Sequence, residues 1–149
     1  MEYPILAIDF GTKRIGLAIS DSKGIVSTPI EPIRITKRMD ETLLLQSFQK
    51  VVNENRISSF LIGMPQEFEE SHKRSSKRVQ KFIDWLIYNI PLPYKLWDES
   101  FSTSSAKDMI VSSGKRVESR KDRLDSIAAS IFLQEFLNSK DNQKSHENY

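Results

Sequence analysis

Ile5-Leu-Ala-Ile-Asp9-Phe-Gly-Thr-Lys-Arg14-Ile-Gly16-Leu-Ala-Ile19 is the stretch on which the fold turns. Its first half is a short apolar run that ends in a carboxylate and is bounded by Pro4 and Gly11. A run of that length reads as a buried strand. Gly11-Thr-Lys-Arg14 supplies turn chemistry, and Ile15 to Ile19 is a second strand, so the pair predicts a hairpin with a four-residue loop. A third strand is expected from about Ile25 to Ile33, after the turn Asp21-Ser-Lys-Gly24. Pro29 and Pro32 make it an edge or an irregular strand, because proline cannot donate to a ladder.

Downstream of the hairpin the pattern changes period. Asp40 is placed to cap a helix running to about Asn55, with Leu44, Phe48, Val51 and Val52 along one face. Phe60 to Met64, closed by Pro65, reads as a buried parallel strand. A second helix is expected from Ser76 to Ile90, where Val79, Phe82, Ile83, Leu86, Ile87 and Ile90 recur at the helical period. Tyr94 to Trp97 is a strand that ends in Asp98-Glu99. Ser102 or Thr103 can cap a helix to about Ser112, stopped near Gly114, and a last helix is expected from Asp122 to Leu137. The order β-β-β-α-β-α-β-α-α predicts an α/β fold with a mixed five-stranded sheet and helices packed on its faces. Residues 1–139 read as one domain, and the polar tail 140–149 is expected to fray.

Composition excludes several functions. The 149 residues carry 22 Lys+Arg against 20 Asp+Glu, a net +2 that is too mild to declare nucleic-acid binding from charge alone. No apolar run approaches the roughly 20 residues of a membrane span, and the amino terminus lacks the pattern of a signal peptide, so a cytoplasmic protein without membrane association is expected. With no cysteine there is neither a disulfide nor a thiolate zinc site. His72 and His146 are isolated and read as solvent-facing rather than as ligands.

Acids stand at chemically suggestive places. Asp9 lies inside an apolar strand, where a carboxylate needs a partner or an opening; the plain alternative is a structural Asp accepting backbone N–H bonds from its turn. Asp98 and Glu99 repeat the pattern, and only one of two consecutive strand residues can share Asp9's face. Asp125, near the start of the last helix, is a third candidate, with Asp122 one turn before it. Acids brought to one end of a sheet would make an all-oxygen site for Mg²⁺ or Mn²⁺. Two such ions about 3.5–4 Å apart can drive in-line phosphodiester displacement.

Taken in order, Asp9-Phe-Gly-Thr-Lys-Arg-Ile-Gly16-Leu-Ala-Ile-Ser-Asp21, Leu61-Ile-Gly-Met-Pro65, Trp97-Asp-Glu-Ser-Phe-Ser-Thr103 and Asp125-Ser-Ile-Ala-Ala129 resemble the successive motifs of the YqgF family. That family comprises ribonuclease H-like proteins described as Holliday-junction resolvases and as nucleases maturing the 5′ end of small-subunit ribosomal RNA. The resemblance implies a ribonuclease H-like fold and a catalytic trio of Asp9, Glu99 and Asp125 binding Mg²⁺ or Mn²⁺, with Asp98 as the fallback ligand. It also implies a phosphate contact for Arg14. Two departures stand out: the acidic Gln66-Glu-Phe-Glu-Glu70 replaces a stretch that usually holds Asn and Gly, and Ser100-Phe101 stands where Arg-Leu is typical.

Two basic clusters remain. Lys73, Arg74, Lys77, Arg78 and Lys81 lie within Ser71–Lys81 without an intervening acid; Lys115, Arg116, Arg120, Lys121 and Arg123 lead into Asp125. A solvated face is the usual meaning of such runs. The second cluster, by its place, suggests phosphate tracking by Lys115, Arg116, Lys121 and Arg123. The leading expectation is therefore a metal-dependent nuclease on structured RNA, with pre-16S ribosomal RNA or a ribosome precursor as substrate. Branched DNA is the near alternative, as for a Holliday-junction resolvase, which would favour a dimer over a monomer. A non-catalytic RNA-binding assembly module is the alternative of another class. An ATPase of the actin and sugar-kinase type needs two such domains, and the chain has one such hairpin.

Overall fold

The computed structural model describes residues 1–11, 13–64, 70–98 and 126–147, with backbone alone at 70–76 and 140–147. β1 (Ile5–Phe10) and β2 (Arg14–Ser20) form the expected hairpin, with Leu6 opposite Ile19 and Asp9 opposite Gly16. β3 (Ser27–Arg34) pairs antiparallel with β2; β4 (Ser59–Met64) pairs parallel with β1, and β5 (Tyr94–Asp98) parallel with β4. The sheet order is β3-β2-β1-β4-β5. This is the mixed five-stranded sheet expected from the sequence, and β3 with its prolines is at an edge. Because β1, β4 and β5 run the same way, their carboxyl ends form one rim of the sheet.

Strict alternation divides the apolar run of β1 between two cores. Leu6 and Ile8, with Ile15, Leu17, Phe60 and Ile62, pack against Phe48 of α1 (Glu41–Glu54) and Val79, Phe82, Ile83 and Leu86 of α2 (Glu70–Asn89). Ile5 and Ala7, with Ala18 and Leu61, pack against Ala129, Phe132, Leu133, Phe136 and Leu137 of α3 (Ile127–Glu147). Both faces of the sheet are covered, which is why its central strands read as unbroken apolar runs. At the α1–α2 face Phe10 stacks on Phe82 with centroids 4.8 Å apart, and Phe82 lies 5.6 Å from Phe48 and 5.9 Å from Trp85. Such ring pairs contribute about 0.5–1.5 kcal/mol each beyond their buried area.

The connections follow from local chemistry. The Asp40 side chain accepts from the Leu43 N–H at 2.9 Å and caps α1 as expected. In the β2–β3 turn, Asp21 Oδ1 accepts from the Ile25 and Val26 N–H groups at 2.7 and 3.0 Å. Those bonds hold Ile25 and Val26 in the turn, so β3 begins at Ser27 rather than Ile25. Gly24 there has φ +70°, and the Tyr3 ring fills the space a Cβ would need.

Two helices differ in extent from the sequence reading. α2 starts at Glu70, not Ser76; its first turns are Lys, Arg and Ser, residues that continue a helix without giving an apolar period. α3 passes Leu137 and runs to Glu147 through a wholly polar segment, for the same reason. The helix expected over 102–112 lies outside the described residues.

Candidate active site

Asp9 is the penultimate residue of β1 and is half-buried. Alternation puts it on the face of Ile5 and Ala7, under α3. Its neighbours across both flanking strands are glycines. Gly16 of β2 is its direct partner, and Gly63 of β4 is the next position after the Ile8–Ile62 pair. Gly63 in turn pairs with Trp97 of β5. A row Gly16–Asp9–Gly63–Trp97 therefore crosses the rim, in which the carboxylate stands between two residues without side chains. Within the sheet itself, neither flanking strand sets a side chain against the half-buried acid.

Trp97 closes the far side of the row. Its ring meets Phe136 of α3 edge-on at 5.8 Å, and Lys95 Nζ lies 5.5 Å from the centre of the same Phe136 ring. Both contacts fix the odd-numbered residues of β5 on the α3 face. Asp98, one residue on, is exposed and belongs to the opposite face from Asp9. It thus does not share the opening with Asp9, as strand pleating requires of one member of the Asp98-Glu99 pair. Strand spacing puts the carboxyl ends of β1 and β5 about 10 Å apart, with β4 between them.

The near side is set by a sheet irregularity. The β2–β3 register slips between Ile15 and Leu17, so Glu31 and Pro32 face the single residue Gly16. Beside this bulge the Leu17 N–H donates to Ser126 Oγ at 3.0 Å, a fully buried contact between residues far apart in sequence. Ser126 immediately precedes α3, so this bond pins the amino-terminal end of α3 over β2 next to the Asp9–Gly16 pair. A second tether holds the helix lower down, where Gln134 accepts from the Ser27 N–H and donates to the Ile25 carbonyl, each at 3.0 Å.

Arg14 is exposed, opens β2, and by alternation shares the face of Gly16 and Asp9. Its cross-strand partner is Arg34 of β3. Glu99, Asp125, Lys115, Arg116, Lys121 and Arg123 lie outside the described residues. Gly63, Ser126 and Arg34 were given no role by the sequence reading. The bulge at Pro32 is the one signal that could have pointed to Ser126, since it leaves a neighbouring amide to find an acceptor elsewhere.

Solved structures of ribonuclease H-like resolvases share this architecture. RuvC of T. thermophilus in complex with Holliday junction substrate superposes with a TM-score of 0.59 at 9% identity, covering 93% of this chain and 95% of that one. The fowlpox virus resolvase with its Holliday junction DNA gives 0.57 at 16% identity, covering 92% and 98%. At those identities the likeness establishes the fold class, ribonuclease H-like. The family follows from sequence. The model described as "RuvX: Holliday junction resolvase" matches residues 3–139. A protein of Koribacter versatilis named "Putative pre-16S rRNA nuclease" is 34% identical over 134 residues, 89% of this chain and 85% of its own. One of the same name from Halothermothrix orenii is 33% identical, over 90% and 94%. The chain belongs to the RuvX family, a nuclease family. No described helix is long and apolar enough to cross a membrane.

Proposed function

We propose that the protein is a divalent-metal-dependent endonuclease that cleaves structured RNA, with the 5′ end of pre-16S ribosomal RNA as its substrate, working in the cytoplasm. One observation carries the reading: Asp9 stands half-buried in a glycine-flanked opening at the strand rim, directly beside the pinned amino-terminal end of α3. Asp125 directly precedes Ser126 in the sequence. Asp98 occupies the other face, which favours Glu99 as the acid that β5 delivers.

The donor set fits a hard cation. Carboxylate oxygens are the ligands Mg²⁺ and Mn²⁺ prefer, and the chain has no cysteine to recruit a softer metal. Among the described residues, which do not include Glu99 and Asp125, no three potential ligands cluster. In this reading Asp9, Glu99 and Asp125 hold the cation. Bound there, it would supply charge neutralisation and water activation for an in-line displacement at phosphorus. Arg14, with Arg34 beside it, holds a flanking phosphate; Lys115, Arg116, Lys121 and Arg123 track the strand entering from the α3 side. Support for RNA comes from the names of the curated relatives. The family's description favours the second reading, a branched-DNA substrate.

The test pairs Asp9→Asn with Asp98→Asn, both assayed with Mg²⁺ or Mn²⁺ on a 5′-extended 16S precursor and on a four-way DNA junction. Asp9→Asn should abolish cleavage and keep the melting temperature, while Asp98→Asn keeps cleaving. Undiminished cleavage by Asp9→Asn overturns the assignment. Junction cleavage without precursor cleavage selects the DNA reading, and salt-dependent RNA binding by the wild type with no cleavage under any ion selects a non-catalytic module.

A further inference from the structure

α2 begins well beyond the sheet it packs on. Phe82 stacks on Phe10, the last residue of β1 and the neighbour of Asp9. The part of α2 before Phe82, residues 70–81, therefore extends from the level of the strand rim outward, about 18 Å at 1.5 Å per residue. Positions 73, 74, 77, 78 and 81 of that segment are all Lys or Arg, and they fall within about 140° of the helix circumference. Lys77, Arg78 and Lys81 are exposed, whereas Val79 and Phe82, on the other side of the same turns, are buried.

This charge distribution opposes helix stability. Lys73 and Lys77, Arg74 and Arg78, and Lys77 and Lys81 are like-charged pairs at i,i+4, each destabilising. Lys73 lies in the first turn of α2, where the helix dipole disfavours cations, while its last turn holds no basic residue. Acids flank the stretch at both ends: Glu70 opens the helix four residues before Arg74, and Asp84 accepts from Gln80 Nε2 at 3.0 Å. Five cations without an intervening acid within Ser71–Lys81, on a chain of net +2, concentrate positive charge in this segment. An external polyanion is the partner such a concentration fits. The run Ser71–Lys81 contains no Phe, Tyr or Trp on which an unpaired base could stack, which argues for backbone contact with a duplex rather than binding of a single strand.

We infer that the exposed face of α2 carrying Lys77, Arg78 and Lys81 is a second nucleic-acid contact that grips the phosphate backbone of a duplex arm beyond the cleaved strand. This rests on the nuclease reading for its substrate, but it concerns affinity and not bond breaking.

The full-length triple variant K77Q/R78Q/K81Q tests it against a control that removes equal charge at other sites, K23Q/K50Q/R56N. Asparagine is chosen for the last because Arg56 has φ +51°. The dissociation constant for a labelled RNA hairpin with a duplex stem is measured from about 50 to 200 mM salt, a range over which phosphate contacts dominate. The slope of log K against log salt should fall in magnitude by about 2–3 for the α2 variant, at roughly 0.9 per lost contact, and stay near wild type for the control. An unchanged slope in the α2 variant overturns the proposal, as does an equal fall in both variants, which would make net charge the cause. Equal melting temperatures show that the variants are folded. Failure of Asp9→Asn to stop cleavage would sink the nuclease reading and leave this binding result standing.

Discussion

Asp9 and Phe10 are adjacent residues at the end of one strand, yet they serve opposite faces of the sheet. On the α1–α2 face, Phe10, Phe48, Phe82 and Trp85 close the rim with contacting rings. On the α3 face the same rim carries a carboxylate with Gly16 and Gly63 on its two flanks. Strand pleating makes this division possible within two residues. The difference shows how a small sheet can support a polar site: the face that seals the rim stabilises the fold, so the other can place a carboxylate there.

The most disruptive way to break that comparison is to open the sealed face. Phe82→Ala removes the ring that contacts Phe10, Phe48 and Trp85, and Phe→Ala in a core costs about 3–5 kcal/mol. Denaturant unfolding should show that loss. Cleavage per folded molecule should fall as well, because the Phe10–Phe82 stack is the only described ring contact next to Asp9 on β1. A stability change below about 1 kcal/mol would mean the sealed face is not what holds the rim.

A smaller effect, with greater diagnostic value, is expected on the open face. Ser126→Ala leaves the buried Leu17 N–H without its acceptor, at a cost of about 1–3 kcal/mol. The same change releases the amino-terminal end of α3, so cleavage should drop at temperatures where the variant is fully folded. Thr, which keeps the hydroxyl, should recover part of both. If Ser126→Ala lost stability alone, the pin would be a packing device with no part in forming the site.

Much of this division was readable from the chain, and the unread part has a common cause. The hairpin, the parallel strands and the Asp40 cap are local: each rests on a short apolar run or on one side chain meeting a nearby amide. Asp9 stood out because a carboxylate in an apolar run is itself a local anomaly. Ser126 did not, since a serine near a helix start has many ordinary uses and its partner is far off in sequence. Gly63 gains significance only from a parallel register that no local pattern encodes. The early start of α2 has no local signal because its residues before Ser76 lack an apolar period.

The smallest expected effect contrasts the rim with the opposite end of the sheet, where Asp21 accepts from the amides of its own turn. The Val26 N–H foremost holds the Asp21 carboxyl below the usual carboxylate range; desolvation opposes it, and the Ile25 N–H adds to the lowering. A group whose folded pKa is depressed contributes stability above its unfolded value, near 3.9, and loses it as pH falls through the folded value. Asp21→Asn should therefore lower the melting temperature slightly at neutral pH, and the gap from wild type should narrow below about pH 4. Because Asp21 is exposed and solvent-screened, a shift of a degree or two is the scale to expect. Cleavage should be unaffected at neutral pH, since β2 carries this turn at the end remote from Asp9. A loss of activity matching that of Ser126→Ala would show that the turn and the site are coupled through Gln134 and α3, and that the two ends of the sheet do not act independently.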